Sequence, residues 1–133
     1  MQSKRQLKKT IYDVLIVGSG VAGMYGALHF DDDTDVLLLS KYGKTVSNSN
    51  LAQGGVAAVL SFKDDSFEQH IEDTMIAGLR CNDIEAVDIL VREGPNDVRR
   101  LIEWGVNFDK NENGELDLTL EGGHSRRRIL HYK

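Results

Sequence analysis

The chain has 133 residues, of which 41% are hydrophobic and 28% charged, a size typical of one domain with one core. The net charge of −5 argues against a nucleic-acid-binding protein, since those are usually basic. No apolar run approaches the roughly 18 residues of a membrane span, and the single cysteine excludes a disulfide framework and a cysteine-rich metal site. We therefore expect a cytoplasmic protein with no nucleic-acid partner, membrane segment or metal.

The first part of the chain predicts a βαβ unit. Residues 1–10 form a polar tail, and the domain occupies residues 11–133. Residues 12–17 include an apolar run of strand length, residues 21–30 are small and apolar as in a helix packed closely on a sheet, and residues 36–39 form a second apolar strand. Strand, helix and strand within about 30 residues predict an α/β fold with a parallel sheet.

Loops and helices are predicted in the middle of the chain. Residues 42–50 are small and polar, which predicts a loop, and residues 51–60 predict a short buried helix. Ser66 followed three residues later by Gln69 is a capping box, and the helix that it opens is expected to reach about Leu79.

Further helix and turn signals follow. Asn82 with Glu85 is a similar start signature for the next helix, and Gly94-Pro95 is expected to interrupt that helix because proline is not tolerated in a helix interior. Asn113-Gly114 predicts a hairpin turn, and Gly122-Gly123 opens a final polar segment.

Glycines 18, 20 and 23 form the pattern of a dinucleotide-binding turn, with a predicted strand before them and a predicted helix after them. In that context Gly18 permits the tight turn, Gly20 lets the backbone approach a pyrophosphate, and Gly23 lets the helix pack on the strand. The pyrophosphate would meet the N–H groups at the start of the helix. The alternative is a turn with a purely structural role.

The position that usually binds the ribose departs from the NAD-binding pattern, which expects an acidic residue about 20 positions further on. The second strand ends in Ser40-Lys41, and Asp35 lies at its other end. Either the lysine favours a phosphate, as in NADP, or backbone and hydroxyl groups hold the ribose. Residues 47–55 (Ser-Asn-Ser-Asn-Leu-Ala-Gln-Gly-Gly) either line a flat ring system or form a plain turn into a helix.

Four segments together resemble one family. Residues 18–23, Ser40-Lys41, residues 52–58 (Ala-Gln-Gly-Gly-Val-Ala-Ala) and residues 121–131 (Glu-Gly-Gly-His-Ser-Arg-Arg-Arg-Ile-Leu-His) are similar, in order, to the flavoproteins of the succinate dehydrogenase, fumarate reductase and L-aspartate oxidase superfamily. The resemblance implies the N-terminal part of an FAD-binding, Rossmann-like domain of the two-dinucleotide-binding type. In this family a Ser-Lys pair commonly replaces the acidic ribose ligand.

The resemblance also implies a set of cofactor-binding residues. The glycine turn would contact the FAD phosphates, Lys41 would lie near the ribose, and the segment from Asn48 would follow the ring and ribityl chain. Asn48 matches the position of the flavin-linking histidine of covalent members, so the FAD is expected to be non-covalent. The predicted cofactor-binding residues are Gly18, Ser19, Gly20, Val21, Ala22, Gly23, Lys41, Asn48, Ser49, Asn50, Leu51, Ala52, Gln53, Gly54 and Gly55.

Glu121 bears on the expected substrate. The segment that it opens is similar to the corresponding segment of aspartate oxidases, in which the matching glutamate lies near the substrate amino group. A carboxylate opposite an ammonium suits an amino-acid substrate, so Glu121 is predicted to orient the substrate. Without the resemblance it would be a surface acid. Residues 126–128, three arginines, either contribute to the site or form salt bridges at a domain edge, and His124 and His131 share this ambiguity. Trp104 and Cys81 are expected to be packing residues.

The function implied by the resemblance is FAD-dependent oxidation of L-aspartate to iminoaspartate in NAD biosynthesis. Oxygen or fumarate would reoxidise the flavin, and quinolinate synthase is a candidate pathway partner. The alternatives are a soluble fumarate reductase or succinate dehydrogenase type of flavoprotein, or a non-catalytic nucleotide-binding remnant. Members of the family are several times longer, so we expect an N-terminal fragment, lacking the capping and C-terminal helical domains and inactive by itself.

Overall fold

The computed structural model describes residues 11–41, 48–52 and 54–132, and the chain divides into two compact units at residues 53 and 54. The elements of the first unit are β1 (Val14–Val17), α1 (Val21–Ala27), β2 (Val36–Leu39) and α2 (Asn48–Leu51). Those of the second unit are β3 (Val56–Ala57), α3 (Phe67–Ala77), α4 (Ile84–Glu103), β4 (Leu118–Thr119) and β5 (Ile129–Leu130).

The predicted βαβ unit is confirmed in the first unit. β1 and β2 pair in parallel, from Val14 opposite Val36 to Val17 opposite Leu39. The Gly18 N–H extends this pairing by donating to the Leu39 carbonyl oxygen at 2.8 Å. Parallel neighbours need a crossover connection, and α1 supplies it.

Two glycines of the turn between β1 and α1 are required by the chain itself. Gly18 has φ +114°, a conformation that side chains rarely adopt. A Cβ at Gly23 would lie 2.0 Å from the Gly18 carbonyl oxygen, so only glycine lets α1 start this close to β1. The geometry that the sequence predicts for these two positions is therefore observed.

The second unit is built around β5, which pairs antiparallel with β3 on one side and with β4 on the other. Its core contains Ala58, Val98, Phe108 and Leu130, all of them buried. Leu130 lies in the middle of this sheet and is fully excluded from solvent, so β5 contributes to the core.

The predicted helix over residues 51–60 is wrong. Residues 48–51 form the one-turn α2, and Val56–Ala57 form β3. A short apolar run does not distinguish strand from helix by its periodicity. Pairing with β5 decides the outcome here, and the Ala58 N–H continues it by donating to the Arg128 carbonyl oxygen at 3.0 Å.

The predicted interruption at Gly94-Pro95 is also wrong, because α4 continues through Pro95. Val87, Val91, Pro95 and Val98 are all buried, at successive spacings of four, four and three residues, so the apolar stripe stays in phase across the proline. A proline inside a helix costs about 3 kcal/mol. Burial of a continuous stripe, to which the proline ring contributes, offsets that cost.

One of the two predicted helix starts is confirmed, and the other is displaced by one residue. The Ser66 hydroxyl accepts the Gln69 N–H at 3.2 Å and caps α3 as expected. The cap of α4 is Asp83 rather than Asn82, since Asp83 Oδ1 accepts the N–H of Glu85 at 2.9 Å. Either residue type is a good cap, so the sequence alone does not separate the two neighbours.

The hairpin turn at Asn113-Gly114 is confirmed, with φ +81° at Gly114 and the Asn111 N–H donating to the Glu115 carbonyl oxygen at 2.8 Å.

The expected polar character of the segment after Gly122-Gly123 is wrong for its last part, because β5 is buried. Among the described residues, no helix is long and apolar enough to span a membrane.

Substituting Gly23 and Gly26 separates close backbone packing from helix propensity. Gly23→Ala should lower the free energy of unfolding by about 2 kcal/mol or more, because the new methyl group meets a backbone oxygen. Gly26→Ala adds a methyl group where no described residue outside α1 and its chain neighbours lies within 4 Å, so it should be neutral or stabilising by about 0.5–1 kcal/mol. Urea unfolding of both variants measures this, and equal stabilities would contradict the packing at Gly23.

Candidate functional site

Gly20 is a glycine for which the described residues give no structural reason. Its backbone is extended, with φ −72° and ψ 179°, which any residue adopts. A Cβ there would meet only the Ser49 hydroxyl, at 3.4 Å, which is ordinary contact. The N–H groups of Ala22 and Gly23 have no acceptor among the described residues. The turn thus combines open space with unsatisfied donors, which suits an anionic group approaching the backbone.

Serine hydroxyls connect the predicted flavin segments of the first unit. Ser49 Oγ accepts the Val21 N–H at 3.0 Å, and Ser19 Oγ donates to Ser40 Oγ at 2.7 Å. The structure therefore brings together the glycine turn, the end of β2 and α2, which are separated in sequence. The sequence pattern does not predict the pairing of Ser19 with Ser40.

The rest of the predicted ring-facing segment is described in part. Residues 48–50 form the start of α2 instead of the expected loop, while residues 42–47 and Gln53 lie outside the described residues. The other predicted site residues of the first unit are solvent-exposed: Lys41, Asn48, Asn50, Leu51 and Ala52.

Gly54 and Gly55 differ in what surrounds them. A Cβ at Gly55 would lie 2.4 Å from the Leu130 carbonyl oxygen and 3.1 Å from His131 Cε1. Close approach of the β5 backbone therefore requires glycine at position 55. Nothing lies within 4 Å of a Cβ at Gly54, so packing in the described structure does not explain that glycine.

Glu121 lies beside His131. Its Oε1 is 2.7 Å from His131 Nε2, and the same nitrogen is 3.0 Å from the Thr119 hydroxyl. The side chains of Glu121 and His131 are 43% and 27% exposed, so an incoming group can reach the carboxylate. The sequence singled out both residues but did not predict that they pair.

Arg128 is a structural residue, which decides between its two predicted roles. It is fully buried, and its guanidinium donates from Nε and Nη2 to the two carboxylate oxygens of Asp65, at 2.8 and 2.7 Å, and from Nη1 to Asp73 at 2.6 Å. Asp73 also accepts from the N–H and hydroxyl of Ser125, each at 2.8 Å.

The two ends of this ion cluster stabilise each other's charge. Burial disfavours the charge on Arg128, but the hydrogen bonds to Asp65 and Asp73 outweigh it and raise the pKa of the guanidinium. Burial likewise opposes ionisation of Asp73, yet donors from Ser125 and Arg128 hold the pKa of that carboxyl below its usual value.

The neighbouring arginines and His124 have different surroundings. Arg126 Nε donates to Gln69 Oε1 at 2.9 Å, and Arg126 and Arg127 border a cleft of about 950 Å³ beside the start of α3. None of the predicted cofactor-binding residues that the structure describes lines that cleft. His124 Nδ1 lies 3.2 Å from Arg128 Nη1 and therefore accepts a hydrogen bond.

His70 is a buried titratable residue that sequence analysis missed. It is 6% exposed, and its Nδ1 has no partner among the described residues. Its ring centroid lies 5.5 Å from that of His124. Burial, aided by the nearby charge of Arg128, lowers the pKa of His70 to about 4. Cys81, expected to be a packing residue, is exposed, and Trp104 is 42% exposed.

Comparison with known families identifies the class of protein. Residues 13–133 match the family model described as FAD binding domain, so the chain belongs to that family and its cofactor is FAD. The chain superimposes on the Sdh1 complex of Mycobacterium smegmatis with a TM-score of 0.85 and 28% identity, covering 95% of this chain and 22% of that one. It superimposes on a quinol fumarate reductase of E. coli with a TM-score of 0.84 and 29% identity, covering 93% of this chain and 22% of that one.

Curated relatives are more similar in sequence. The chain is 45% identical over 125 residues to the L-aspartate oxidase of Clostridium perfringens, covering 94% of this chain and 28% of the relative. It is 48% identical to that of Acinetobacter baylyi, with coverages of 90% and 22%, and 47% identical to the chloroplastic enzyme of Arabidopsis thaliana, with coverages of 90% and 18%. The chain thus spans about a fifth to a quarter of the length of these relatives.

The buried His70 predicts a pH dependence of stability. Unfolded histidine takes up a proton near pH 6.5, whereas folded His70 stays neutral down to about pH 4. Between these values the unfolded state binds more protons, so stability falls with falling pH, by up to about 1.4 kcal/mol per unit from this residue. Urea unfolding at pH 6.5, 5.75 and 5 measures the slope.

His70→Leu should reduce that slope. Ile76→Ala changes an exposed residue on the same helix. It removes no titratable group, so the slope should stay as in wild type. Identical slopes in wild type and His70→Leu would contradict a neutral buried His70.

Proposed function

We propose that this protein uses FAD to oxidise L-aspartate to iminoaspartate. One observation at Glu121 carries the proposal. His131 binds Oε1 of its carboxylate, while Oε2 has no hydrogen-bond partner among the described residues. That oxygen is available to an ammonium group, and a charge-assisted hydrogen bond of this kind favours an amino acid over a simple dicarboxylate. The identity of 45–48% to L-aspartate oxidases supports the same substrate.

The residues that we propose to hold FAD come from the family resemblance, and the geometry at Gly20 supports them; we infer that the first unit has a Rossmann-like arrangement of the two-dinucleotide-binding type. The open face at Gly20 and the N–H groups of Ala22 and Gly23 would receive the phosphates, with Lys41 near the ribose. FAD supplies the two-electron acceptor, and the protein supplies binding and orientation.

The segment from Asn48 to Gly55 would lie along the ring and the ribityl chain. A glycine at position 54 without a packing reason supports close approach of a ligand there. The amide of Asn48 is not a nucleophile, so we propose that the flavin is held without a covalent bond.

A fumarate reductase is the second candidate, because the solved structures that the chain matches include a quinol fumarate reductase. An uncharged residue in place of Glu121 would suit that reaction as well, since fumarate has no ammonium group to pair with the carboxylate. Glu121 therefore distinguishes the two candidates.

The remaining parts of the proposal rest on the resemblance. They are reoxidation by oxygen or fumarate, a role in NAD biosynthesis with quinolinate synthase acting on the product, and a cytoplasmic location. We also propose that these 133 residues by themselves do not turn over L-aspartate, because relatives with that name are several times longer.

Glu121→Gln tests the assignment of the substrate. In the intact protein, this change should lower kcat/KM for L-aspartate about 10- to 100-fold, because a hydrogen bond between charged groups contributes about 1.5–3 kcal/mol. Fumarate reduction should change less than about threefold, since fumarate has no ammonium to lose a partner. Peroxide release and fumarate-dependent flavin reoxidation give the two rates.

The matched control is Glu112→Gln, which neutralises an exposed glutamate in the hairpin turn and should leave both rates unchanged. Equal losses of both activities in Glu121→Gln would argue against recognition of the amino group.

A further inference from the structure

The contact between Glu121 and His131 shows which nitrogen of the imidazole carries a hydrogen. A carboxylate oxygen 2.7 Å from an imidazole nitrogen needs a hydrogen between them, so Nε2 of His131 carries an N–H. That N–H points toward Glu121. It is shared with the Thr119 hydroxyl oxygen, which lies 3.0 Å from Nε2 and accepts a second, weaker hydrogen bond. The neighbours thus select the tautomer in which Nε2 is the donor.

The histidine is the fixed member of the pair. It directly follows β5, whose two residues are buried, and its carbonyl oxygen accepts the Asp109 N–H at 2.9 Å. Its ring edge lies against Gly55, where a Cβ would be only 3.1 Å from Cε1. Glu121, by contrast, lies after β4 in an exposed turn that closes with φ +83° at Gly123.

We propose that His131 is a positioning residue, which holds Glu121 in the orientation that receives the amino group of the substrate. This inference rests on the proposed function. By binding Oε1, the imidazole restricts the three side-chain torsions of the glutamate before substrate arrives and leaves Oε2 for the ammonium. Ordering the carboxylate in advance removes part of the entropy loss from the binding step.

The role makes a selective prediction. Loss of the Nε2 donor should weaken binding of ligands that carry an amino group and leave ligands without one unaffected. A residue needed only for folding would weaken both classes alike. Glutamine places an amide nitrogen near the position of Nε2, so it should substitute for histidine, whereas leucine should not.

The experiment uses the intact flavoprotein, reduced beforehand under anaerobic conditions so that L-aspartate binds without being oxidised. Calorimetry gives the Kd of L-aspartate and of succinate. His131→Leu should raise the Kd of L-aspartate about tenfold, equivalent to about 1.4 kcal/mol, and that of succinate less than about twofold. His131→Gln should restore L-aspartate binding to within about threefold of wild type.

Three further variants control the interpretation. In a Glu121→Gln background, His131→Leu should add almost nothing to the loss, because the interaction that it supports is already absent. If His131→Leu lowers flavin content or melting temperature, His131→Asn replaces it, since its polar amide is too short to reach Glu121. His29→Gln, a surface histidine of the first unit, is the control and should bind both ligands as wild type does.

The outcomes separate this inference from the proposed function. Equal weakening of L-aspartate and succinate, or wild-type binding by His131→Leu and His131→Asn, would overturn the positioning role while leaving the proposed reaction intact. Failure of the wild-type protein to oxidise L-aspartate would overturn both.

Discussion

Close approach of one backbone to another, at a position without a side chain, is the constraint on which each unit depends. In the first unit it occurs at Gly23, where α1 starts against the Gly18 carbonyl oxygen. In the second unit it occurs at Gly55, over which the β5 backbone passes. Interiors are packed too densely to absorb a methyl group 2.0–2.4 Å from an oxygen. These glycines therefore set where the helix and the central strand can lie.

The buried ion cluster supplies a second constraint in the second unit. Arg128 joins Asp65, which precedes α3, to Asp73 within α3, and Asp73 in turn holds the backbone of Ser125. Such a cluster is weak evidence for net stability, because desolvation of the charges offsets their attraction. Removing one partner, however, leaves an unpaired buried charge, which costs about 3–5 kcal/mol. The cluster thereby fixes the turn between β4 and β5, the same turn that carries Glu121.

Local patterns predicted the parts of the fold that local chemistry determines. The parallel βαβ unit, the cap at Ser66 and the turn at Asn113-Gly114 follow from residues adjacent in sequence. The errors arose where distant contacts decide. Residues 56–57 became a strand because β5 pairs with them, and Pro95 stayed inside α4 because its stripe is buried.

The same division applies to the candidate site. The glycine pattern located the turn, and the resemblance singled out Glu121. Two of the contacts that the patterns missed join residues far apart in sequence: Ser49 is 28 residues from Val21, and Asp65 is 63 residues from Arg128. No periodicity predicts such pairs, and the donor for Glu121 became visible only when the sheet placed His131 beside it.

The central claim is that the turn at residues 18–23 holds the FAD phosphates, and Gly20→Ala tests it most directly. The described structure accommodates a methyl group at position 20, so the apoprotein should melt at the wild-type temperature. A bound phosphate would meet that methyl group, so the Kd for FAD, measured by fluorescence titration of the intact apoprotein, should rise about tenfold or more. Gly26→Ala is the matched control and should bind FAD as wild type does. Equal FAD affinity in Gly20→Ala and Gly26→Ala would contradict the account.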